Sequence, residues 1–373
     1  MNFKKYISLG ILCLSLGLLS FWLTVSIFNS SKKVGDKTFS ESIDQAKVNQ
    51  FSELLDNAGD KTVNLLLLGY GGAGHDGGYL TDVIKLVNID PNTHRINVIS
   101  IPRDLWVPVP VRSDQPEWQK INAAYAVGMD DNYPLKQTQY RGGDGARRLI
   151  ADVIFDVFGI TVDYVAAVDF TGFENLVDRL GGIDVNVPVS FTDQFYPIKG
   201  RENDLCNMSP DKIVEVHQKY TGFELEKQFE CRYERLEFAQ GPTKMNGETA
   251  LKFVRSRHSG EHGGDFARAA RQAAVLEGIK NKALSLKALA NLPEFWAIYK
   301  NYVSTDLTAE AVLAFLAKYP DVSNYEVKNI LLTTDNVLQH LTSSSGAYIL
   351  SPKAGGNNWI EVQDYILRES YAQ

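Results

Sequence analysis

The stretch Val63–Asp104, VNLLLLGYGGAGHDGGYLTDVIKLVNIDPNTHRINVISIPRD, decides the fold class. It opens with a short apolar run that ends at Gly69 and is typical of a strand buried in a sheet. Two further strands are predicted at Val83–Asp90 and His94–Ile101. Because only a short turn joins them, these two strands are expected to pair as an antiparallel hairpin.

Downstream of this stretch, helical and strand patterns alternate. A helix is predicted at Gly145–Phe158, where the following glycine ends it, and a strand at Asp163–Phe170. A second helix is predicted at Phe173–Leu180 and a further strand at Ile183–Val187. Such alternation indicates a layered α/β fold.

The rest of the chain is organised around a domain predicted to span residues 63–290. Within it, residues 190–240 are polar, aromatic and irregular, and are interpreted as an insertion. Residues 291–373 are either a C-terminal extension of the domain or a small appendage. They include a predicted helix at Thr308–Lys318 and a predicted strand at Val327–Thr334.

The amino terminus predicts a membrane anchor. Residues 6–28 carry no charge and are rich in Leu, Ile, Phe and Trp, which is long enough to cross a hydrocarbon layer of about 30 Å. No cleavage pattern follows, so residues 1–28 are expected to be a retained anchor and residues 29–62 a stalk. Only five residues precede the apolar span, and the large body that follows is therefore expected to be exported.

The overall charge excludes bulk nucleic-acid binding. The chain has 38 basic and 45 acidic residues, so any cationic site must be local. Cys206 and Cys231 are the two cysteines of the body, and a disulfide between them would suit an exported domain and would staple the insertion. Two unpaired thiols are the alternative.

Basic residues concentrate in the stretch 255–272. A helix is predicted to start there with Asp265 as its N-cap, and the chain before it is expected to be extended from Val254 onward. Buried arginines need an anionic partner, and guanidinium groups beside a helix N-terminus favour phosphate. Pairing with protein carboxylates, or contact with solvent, is the alternative. The candidate phosphate ligands of this stretch are Arg255, Arg257, Arg268, Arg271 and Gln272.

Three earlier residues extend this constellation. Asp82 lies where a loop meets a strand, Arg103 lies at a strand end, and Lys120 lies on the following loop. One carboxylate with several cations suits a Mg²⁺-assisted pyrophosphate site, because Mg²⁺ takes few carboxylates and shares phosphate oxygens. The alternatives are a turn-capping role for Asp82 and a salt bridge from Arg103 to Asp104.

Other motifs are weaker. Gly69–Gly74 matches the dinucleotide-binding pattern GxGxxG, but it leads into a strand and leaves no room for the required helix. His258–His262 matches a zinc-protease pattern, but its glycines oppose the helix that would place both histidines on one face. No GxSxG hydrolase elbow occurs in the sequence.

Together these segments resemble the LytR-CpsA-Psr family, the membrane-anchored phosphotransferases of bacterial cell envelopes. Each segment is a weak signal, but nine of them in the family's order are specific. The matching segments are Asn64–Gly69, Thr81–Asp82, Ser100–Asp104, Lys120–Tyr125, Val168–Phe173, Leu180–Val185, Asn246–Leu251, Val254–Arg257 and Gly264–Gln272.

The resemblance implies a three-layer α/β/α sandwich with a mixed central sheet, preceded by one transmembrane helix. It places the protein in the bacterial cytoplasmic membrane as a single-pass protein, with its C-terminal body outside the cytoplasm. The implied reaction transfers a glycopolymer from a polyprenyl-pyrophosphate carrier to a peptidoglycan sugar hydroxyl, through a phosphodiester. The implied cofactor is Mg²⁺, with Mn²⁺ as a substitute.

The resemblance also assigns roles. Asp82 would hold the metal, and Asp265 would either orient an arginine or accept the proton of the acceptor hydroxyl. Arg103 would act in catalysis and bind the pyrophosphate. The other implied pyrophosphate ligands are Arg255, Arg257, Arg268, Arg271 and Gln272. Lys120, the cation on the loop after Arg103, is predicted to bind the pyrophosphate with them.

Two departures from the family pattern weaken these assignments. The family usually has an aspartate where this chain has Gly71, although Asp76 could supply a carboxylate to the metal from the longer loop. It also usually has an arginine where this chain has Leu80. A regulatory protein that binds polyprenyl phosphate without turnover, or a pyrophosphatase acting on the same lipid, is the alternative function.

Overall fold

The computed structural model describes residues 62–74, 77–259, 264–283 and 299–371. The strands are β1 (Val63–Tyr70), β2 (Thr81–Asp90), β3 (Arg95–Ser100), β4 (Trp106–Val109), β5 (Glu117–Lys120), β6 (Tyr164–Asp169), β7 (Ile183–Val187), β8 (Phe191–Pro197), β9 (Tyr233–Phe238), β10 (Gly241–Met245), β11 (Val303–Thr305), β12 (Glu326–Leu331), β13 (Leu338–Thr342) and β14 (Tyr348–Pro352). The helices are α1 (Ala123–Met129), α2 (Gly145–Phe158), α3 (Phe170–Arg179), α4 (Pro210–Lys219), α5 (Gly222–Glu226), α6 (Gly247–Arg255), α7 (Gly264–Ala283), α8 (Ala309–Lys318) and α9 (Ile360–Tyr371).

The central sheet has six strands in the order β11-β6-β1-β2-β3-β12. The predicted hairpin is present, because β2 and β3 pair antiparallel, and β1 pairs antiparallel with β2. Two other neighbours are parallel, β1 with β6 and β3 with β12. The sheet is therefore mixed, and the ends of β1, β3 and β6 meet the start of β2 at one edge.

Side chains of β1 alternate between the two faces of this sheet, as a strand requires. Leu66 and Leu68 join a core cluster with apolar residues of α2 and α9. Leu65 and Leu67 point to the other face and pack near Leu176 of α3. On that second face α8 and α7 also contribute apolar residues. Helices therefore cover both faces, and the sheet is the middle layer of three.

The segment 190–240 is more regular than predicted. Strands β8 and β9 pair antiparallel, and α4 and α5 lie between them in the chain. Cys206 and Cys231 are disulfide-bonded across this segment, with their Cα atoms 5.5 Å apart. The helical pattern was hard to detect because Val216 is the one buried residue of α4. A helix of ten residues that buries so little apolar surface gives only a short and weak sequence signal.

The C-terminal region extends the same domain. Strand β12 forms one edge of the central sheet by pairing with β3, and β11 forms the other edge by pairing with β6. Buried Trp359, Val362 and Ile366, at and beyond the start of α9, belong to the main core cluster. Residues beyond 299 therefore complete the sheet and cover one of its faces.

Two boundaries predicted for the basic stretch 255–272 are wrong. Helix α6 continues through Arg255, so the chain is not extended from Val254 onward. Its buried Ala250, Leu251 and Phe253 keep the helical pattern running to that point. Helix α7 begins at Gly264, which places Asp265 inside its first turn. Helix ends often shift by a residue or two because terminal turns are held by few hydrogen bonds.

Within the residues that the structure describes, no helix is long and apolar enough to cross a bilayer. The predicted anchor and stalk, residues 1–28 and 29–62, lie outside the described residues except for Thr62.

The close approach of α1 to α2 requires a glycine, and this gives a test of the fold. A Cβ added to Gly128 would lie 2.3 Å from the Cα of Ala146. We expect Gly128→Ala to lower the free energy of unfolding by about 1–3 kcal/mol in urea denaturation, because the two backbones must separate. Gly143→Ala is the matched control, since nothing lies within 4 Å of a Cβ there. Equal losses in both variants would contradict this helix contact.

Candidate functional site

A cavity of about 590 Å³ lies between the second face of the sheet and helices α3, α6 and α7. Most of its wall is hydrocarbon, because strands and helices alike turn core residues toward it. This apolar body includes Leu67, Ala166, Leu176, Val275, Ile279 and Val303. Where the cavity reaches the edge formed by the ends of β1, β3 and β6, its lining becomes charged. This polar end includes Asp82, Arg103, Arg255, Arg257, Arg268 and Gln272.

The structure therefore brings together six of the predicted site residues from four parts of the chain. Asp82 starts β2, and Arg103 follows β3, so the sheet edge presents both. Arg255 ends α6, and Arg257 lies two residues beyond that end. Arg268 and Gln272 lie one turn apart near the start of α7, which continues along the cavity to Val275 and Ile279. Helix α7 thus runs from the polar end to the apolar body.

Asp82 is shared between two arginines. Its Oδ1 accepts a short hydrogen bond from Nη1 of Arg103 and lies 3.8 Å from Nη2 of Arg257. Arg103 also lies 3.6 Å from the carboxylate of Asp104 through its Nε. The salt bridge to Asp104 was the alternative prediction for Arg103. It is present, and Arg103 also lines the cavity.

Arg255 is held by aromatic rings. Its guanidinium lies 4.1 Å from the ring centre of Phe170 and 5.8 Å from that of Tyr196. Its Nη1 donates to the hydroxyl of Tyr196 at 3.4 Å. A guanidinium packed on ring faces is attracted to them, and its orientation is restricted.

Asp193 organises this region, although sequence reasoning did not single it out. Its side chain is fully buried, and its Oδ2 accepts from Ser256 Oγ at 2.6 Å, from Arg257 N at 3.0 Å and from His258 N at 3.1 Å. Burial alone would raise the pKa of Asp193, but these bonds and one from the Phe195 amide outweigh it and hold the pKa below its usual value. The insertion thus fixes the turn after α6.

The insertion also supplies part of the cavity wall. Phe195, Tyr196 and Pro197 of β8 line the cavity, and His258 lines it from the turn after α6. The His258 ring stacks on Phe223 of α5 at 4.0 Å between centres. These contacts come from aromatic residues whose spacing carries no motif, so only the structure reveals them.

Two predicted phosphate ligands have other surroundings. Arg271 is 3% exposed, donates to the carbonyl oxygen of Ser256, and lies 4.7 Å from the ring centre of Phe191. Burial lowers the pKa of Arg271 to about 10, with Asp193 opposing that shift. Lys120 donates to Asp104 Oδ1 at 2.5 Å. Neither side chain is part of the cavity wall, and both hold neighbouring site residues in place.

Two further predicted residues cannot be placed. Asp76 lies outside the described residues, and so does the side chain of Asp265.

The described residues contain one group of three side chains close enough to bind a metal, Asp204, Cys206 and Cys231, and its cysteines form the disulfide. Asp82 is one of three carboxylates that line the cavity among the described residues, and a second, Asp193, is already held by backbone amides. Asp169 lines the cavity too, but its Oδ1 accepts from the Gly172 amide at 2.6 Å as the N-cap of α3. A lone carboxylate fits Mg²⁺ where phosphate oxygens and water complete the ligand set.

A cavity with a charged polar end and an apolar body suits an amphipathic anion.

Residues 25–357 match the LytR_cpsA_psr family model. TagU of Oceanobacillus iheyensis, named a polyisoprenyl-teichoic acid–peptidoglycan teichoic acid transferase, is 27% identical over 280 residues, which cover 75% of this chain and 68% of TagU. The regulatory protein MsrR of Staphylococcus aureus is 25% identical over 301 residues, which cover 80% of this chain and 72% of MsrR. The crystal structure of B. subtilis TagV has the same fold, with a TM-score of 0.55 and 22% identity over 84% of this chain and 100% of TagV.

The chain belongs to the LytR_cpsA_psr family. The family predicted from the nine segments is thereby confirmed, and so is the enzyme class, a phosphotransferase of the LytR-CpsA-Psr type.

The role of Asp193 can be tested through stability. In Asp193→Asn the amide oxygen can replace Oδ2, but the amide NH₂ then faces the Phe195 N–H, which loses its acceptor. We expect the free energy of unfolding at pH 7 to fall by about 1–3 kcal/mol in urea denaturation. The exposed Asp184→Asn on β7 is the control and should change little.

The same variant has a predicted pH signature. Because the pKa of Asp193 is lowered in the folded protein, its stabilising effect is present above the unfolded value of about 3.9 and disappears as the pH falls through the folded value. The stability difference between wild type and Asp193→Asn should therefore vanish in strong acid. A difference that persists unchanged there would contradict the carboxylate's role.

Proposed function

We propose that the protein transfers a glycopolymer from a polyprenyl-pyrophosphate carrier to a peptidoglycan hydroxyl. The observation that carries this proposal is that one cavity combines an arginine-lined polar end with an apolar body. A pyrophosphate matches the first part and a prenyl chain matches the second. The name of the relative TagU, a teichoic acid transferase to peptidoglycan, supports the same substrate classes.

In this reaction the acceptor oxygen forms a bond to the glycopolymer-bearing phosphorus. The bridging P–O bond then breaks, and polyprenyl phosphate leaves with the electron pair. Arg103, Arg255, Arg257 and Arg268 would neutralise phosphate charge through forked donors, and Gln272 would add an amide donor. The proton of the acceptor hydroxyl is proposed to pass either to Asp265 or to solvent, and in the second case Asp265 would orient an arginine.

We propose Mg²⁺, with Mn²⁺ as a substitute, as the cofactor. Asp82 would hold it at the polar end, where the metal would reduce charge on the phosphates. The presence of Asp82 between two guanidinium groups means that the same carboxylate also positions Arg103 and Arg257.

The location follows from this substrate. A polyprenyl carrier lies in a bilayer, so the protein is proposed to be anchored in the bacterial cytoplasmic membrane by residues 1–28, with its body outside the cytoplasm. Nucleic acid is not a proposed partner, since the net charge of −7 is unfavourable and the arginines are gathered in one cavity.

A regulatory protein that binds the lipid without turnover is the second candidate. The relative MsrR carries a regulatory name, and Gly71 occupies the position of the usual family aspartate. A pyrophosphatase would use the same residues with water as the acceptor. A requirement for Mg²⁺ in sugar transfer would favour the transferase over both.

Lipid retention tests the polar end. We expect polyprenyl phosphate or pyrophosphate to co-purify with the full-length protein from bacterial membranes and to be measurable by mass spectrometry. Arg103→Ala should reduce the lipid per protein about ten- to hundredfold, because charge-assisted bonds to phosphate are lost. A double Arg255/Arg257→Ala variant should do the same.

Arg112→Ala is the control for this experiment, because Arg112 pairs with Asp114 outside the cavity. Absence of the lipid from wild type, under conditions in which another family member retains it, would contradict the proposed ligand.

Metal dependence tests the reaction. We expect Asp82→Asn to reduce Mg²⁺-stimulated transfer of a lipid-linked oligosaccharide to peptidoglycan about hundredfold or more. Lipid retention should change less than about threefold, because two effects oppose each other: Arg103 and Arg257 lose a positioning partner, but a negative charge that repels the phosphates is removed. Transfer is measured over a Mg²⁺ titration, with exposed Asp114→Asn as control. A variant that keeps the wild-type response to Mg²⁺ would exclude Asp82 as the metal ligand.

A further inference from the structure

Lys85 lies on the floor of the cavity and belongs to none of the motifs described above. It is a β2 residue whose neighbours across the sheet are Leu67 on β1 and Ser100 on β3. Its side chain lines the cavity and is 2% exposed. Asp82 lies three residues earlier on the same strand, about 10 Å away at the usual rise per residue. Lys85 is therefore deeper than the ion pair of Asp82 with Arg103, at the point where the apolar body begins.

The ammonium of Lys85 has a neutral partner. Its Nζ donates to Ser100 Oγ at 2.6 Å, and no carboxylate forms an ion pair with it in the described part of the chain. The charged group that acts on it is the guanidinium of Arg268, which has the same sign. A buried cation is costly unless an anion compensates it. Lys85 is thus a buried cation on the cavity wall whose partner among the described residues is a hydroxyl group and not a carboxylate.

We propose that Lys85 is a phosphate ligand, and that its ammonium binds the lipid-bearing phosphate of a prenyl pyrophosphate. This inference rests on the proposed function and deepens it. The lipid-bearing phosphate is the group that must meet a charged side chain on one side and hydrocarbon on the other. Lys85, with Leu67 beside it and Arg268 and Gln272 on α7, offers that boundary.

The position also suits the leaving group. When the bridging P–O bond breaks, the electron pair remains on the lipid-bearing phosphate, and its negative charge increases. A cation placed at that phosphate stabilises the charge as it develops. Lys85 would therefore act on the departing polyprenyl phosphate, whereas Arg103 and Asp82 lie nearer the opening of the polar end.

Proton uptake gives a direct readout of this contact. Burial, with a smaller effect of Arg268, lowers the pKa of Lys85 to about 8. An anion beside the ammonium raises that pKa, so binding near pH 8 must draw a proton from solution. The affinity then falls as the pH rises through the pKa of the complex.

Other groups should contribute little to this proton uptake. Between pH 7.5 and 9, carboxylates stay ionised, arginines stay protonated and an ordinary histidine is neutral. Among the described residues, the other charged or titratable groups on the cavity wall are Asp82, Arg103, Asp169, Asp193, Tyr196, Arg255, Arg257, His258, Arg268 and Tyr299.

The experiment is calorimetric titration of full-length protein in detergent micelles with geranylgeranyl pyrophosphate. It is repeated between pH 7.5 and 9 in buffers of different ionisation enthalpy, which gives the protons taken up. Wild type should take up as much as half a proton more than Lys85→Met near pH 8. Lys85→Met should bind about ten- to hundredfold more weakly at pH 7.5, without that uptake.

Matched variants separate binding from a structural role. Lys85→Met removes a buried charge, so the melting temperature of the ligand-free protein should stay the same or rise. Lys85→Gln keeps a donor for Ser100 without the charge and should lose the same proton uptake, which decides the question if the Met variant does not fold. Ser100→Ala removes only the neutral partner and should bind within about threefold of wild type.

The inference is overturned if the Lys85 variants keep wild-type affinity or wild-type proton uptake while Arg103→Ala loses binding. Inorganic pyrophosphate that binds as tightly as the lipid, with the same dependence on Lys85, would overturn the assignment to the lipid-bearing phosphate. If wild type binds neither probe, the proposed function fails as well. Failure of the Lys85 assignment alone leaves wild-type binding intact, so the two failures are distinguishable.

Discussion

The gathering of four arginines and a lysine on the wall of one largely apolar cavity is the constraint on which the rest of this structure depends. Four arginines and Lys85 line one cavity with three carboxylates, and two of those carboxylates, Asp169 and Asp193, accept hydrogen bonds from backbone amides. The third, Asp82, is shared between the guanidinium groups of Arg103 and Arg257. Cations at such spacing repel one another when water is excluded. The fold must therefore hold these side chains in place against that repulsion.

Each cation is held by an element that is fixed for another reason. Arg103 follows a central strand, and Arg255 ends a helix whose buried residues belong to a core cluster. Arg257 is positioned through its own backbone amide, which donates to buried Asp193. Asp169 caps α3, and the loop after β1 passes so close to it that a Cβ at Gly72 would lie 3.0 Å from the Asp169 side chain. Rigid support of this kind limits the reorganisation that ligand binding requires.

The sequence allowed much of the fold to be predicted. The apolar run of β1 and the short turn between β2 and β3 specify their pairing, because a strand buried in a sheet and a short connection each leave few choices. The insertion and the edge strands were harder. Helix α4 buries a single residue, and β12 joins the sheet beside β3 after more than 220 residues of chain, as the numbering of Ser100 and Glu326 shows. Local patterns carry no information about a partner that distant.

The site residues also differ in whether a local sequence pattern predicts them. Motif residues such as Arg103 and Arg257 were predictable because a strand end and a basic cluster are visible in sequence, and they do line the cavity. Arg271 has the same chemistry and helical spacing, yet it points to the Ser256 carbonyl, because α7 packs on β7 and leaves that side of the helix buried. Lys85 is the converse case, since a lysine inside an apolar strand reads as a surface residue until the helices above it are placed. Charge type can be read from a sequence, but the depth that decides what a charge does is a property of the packing.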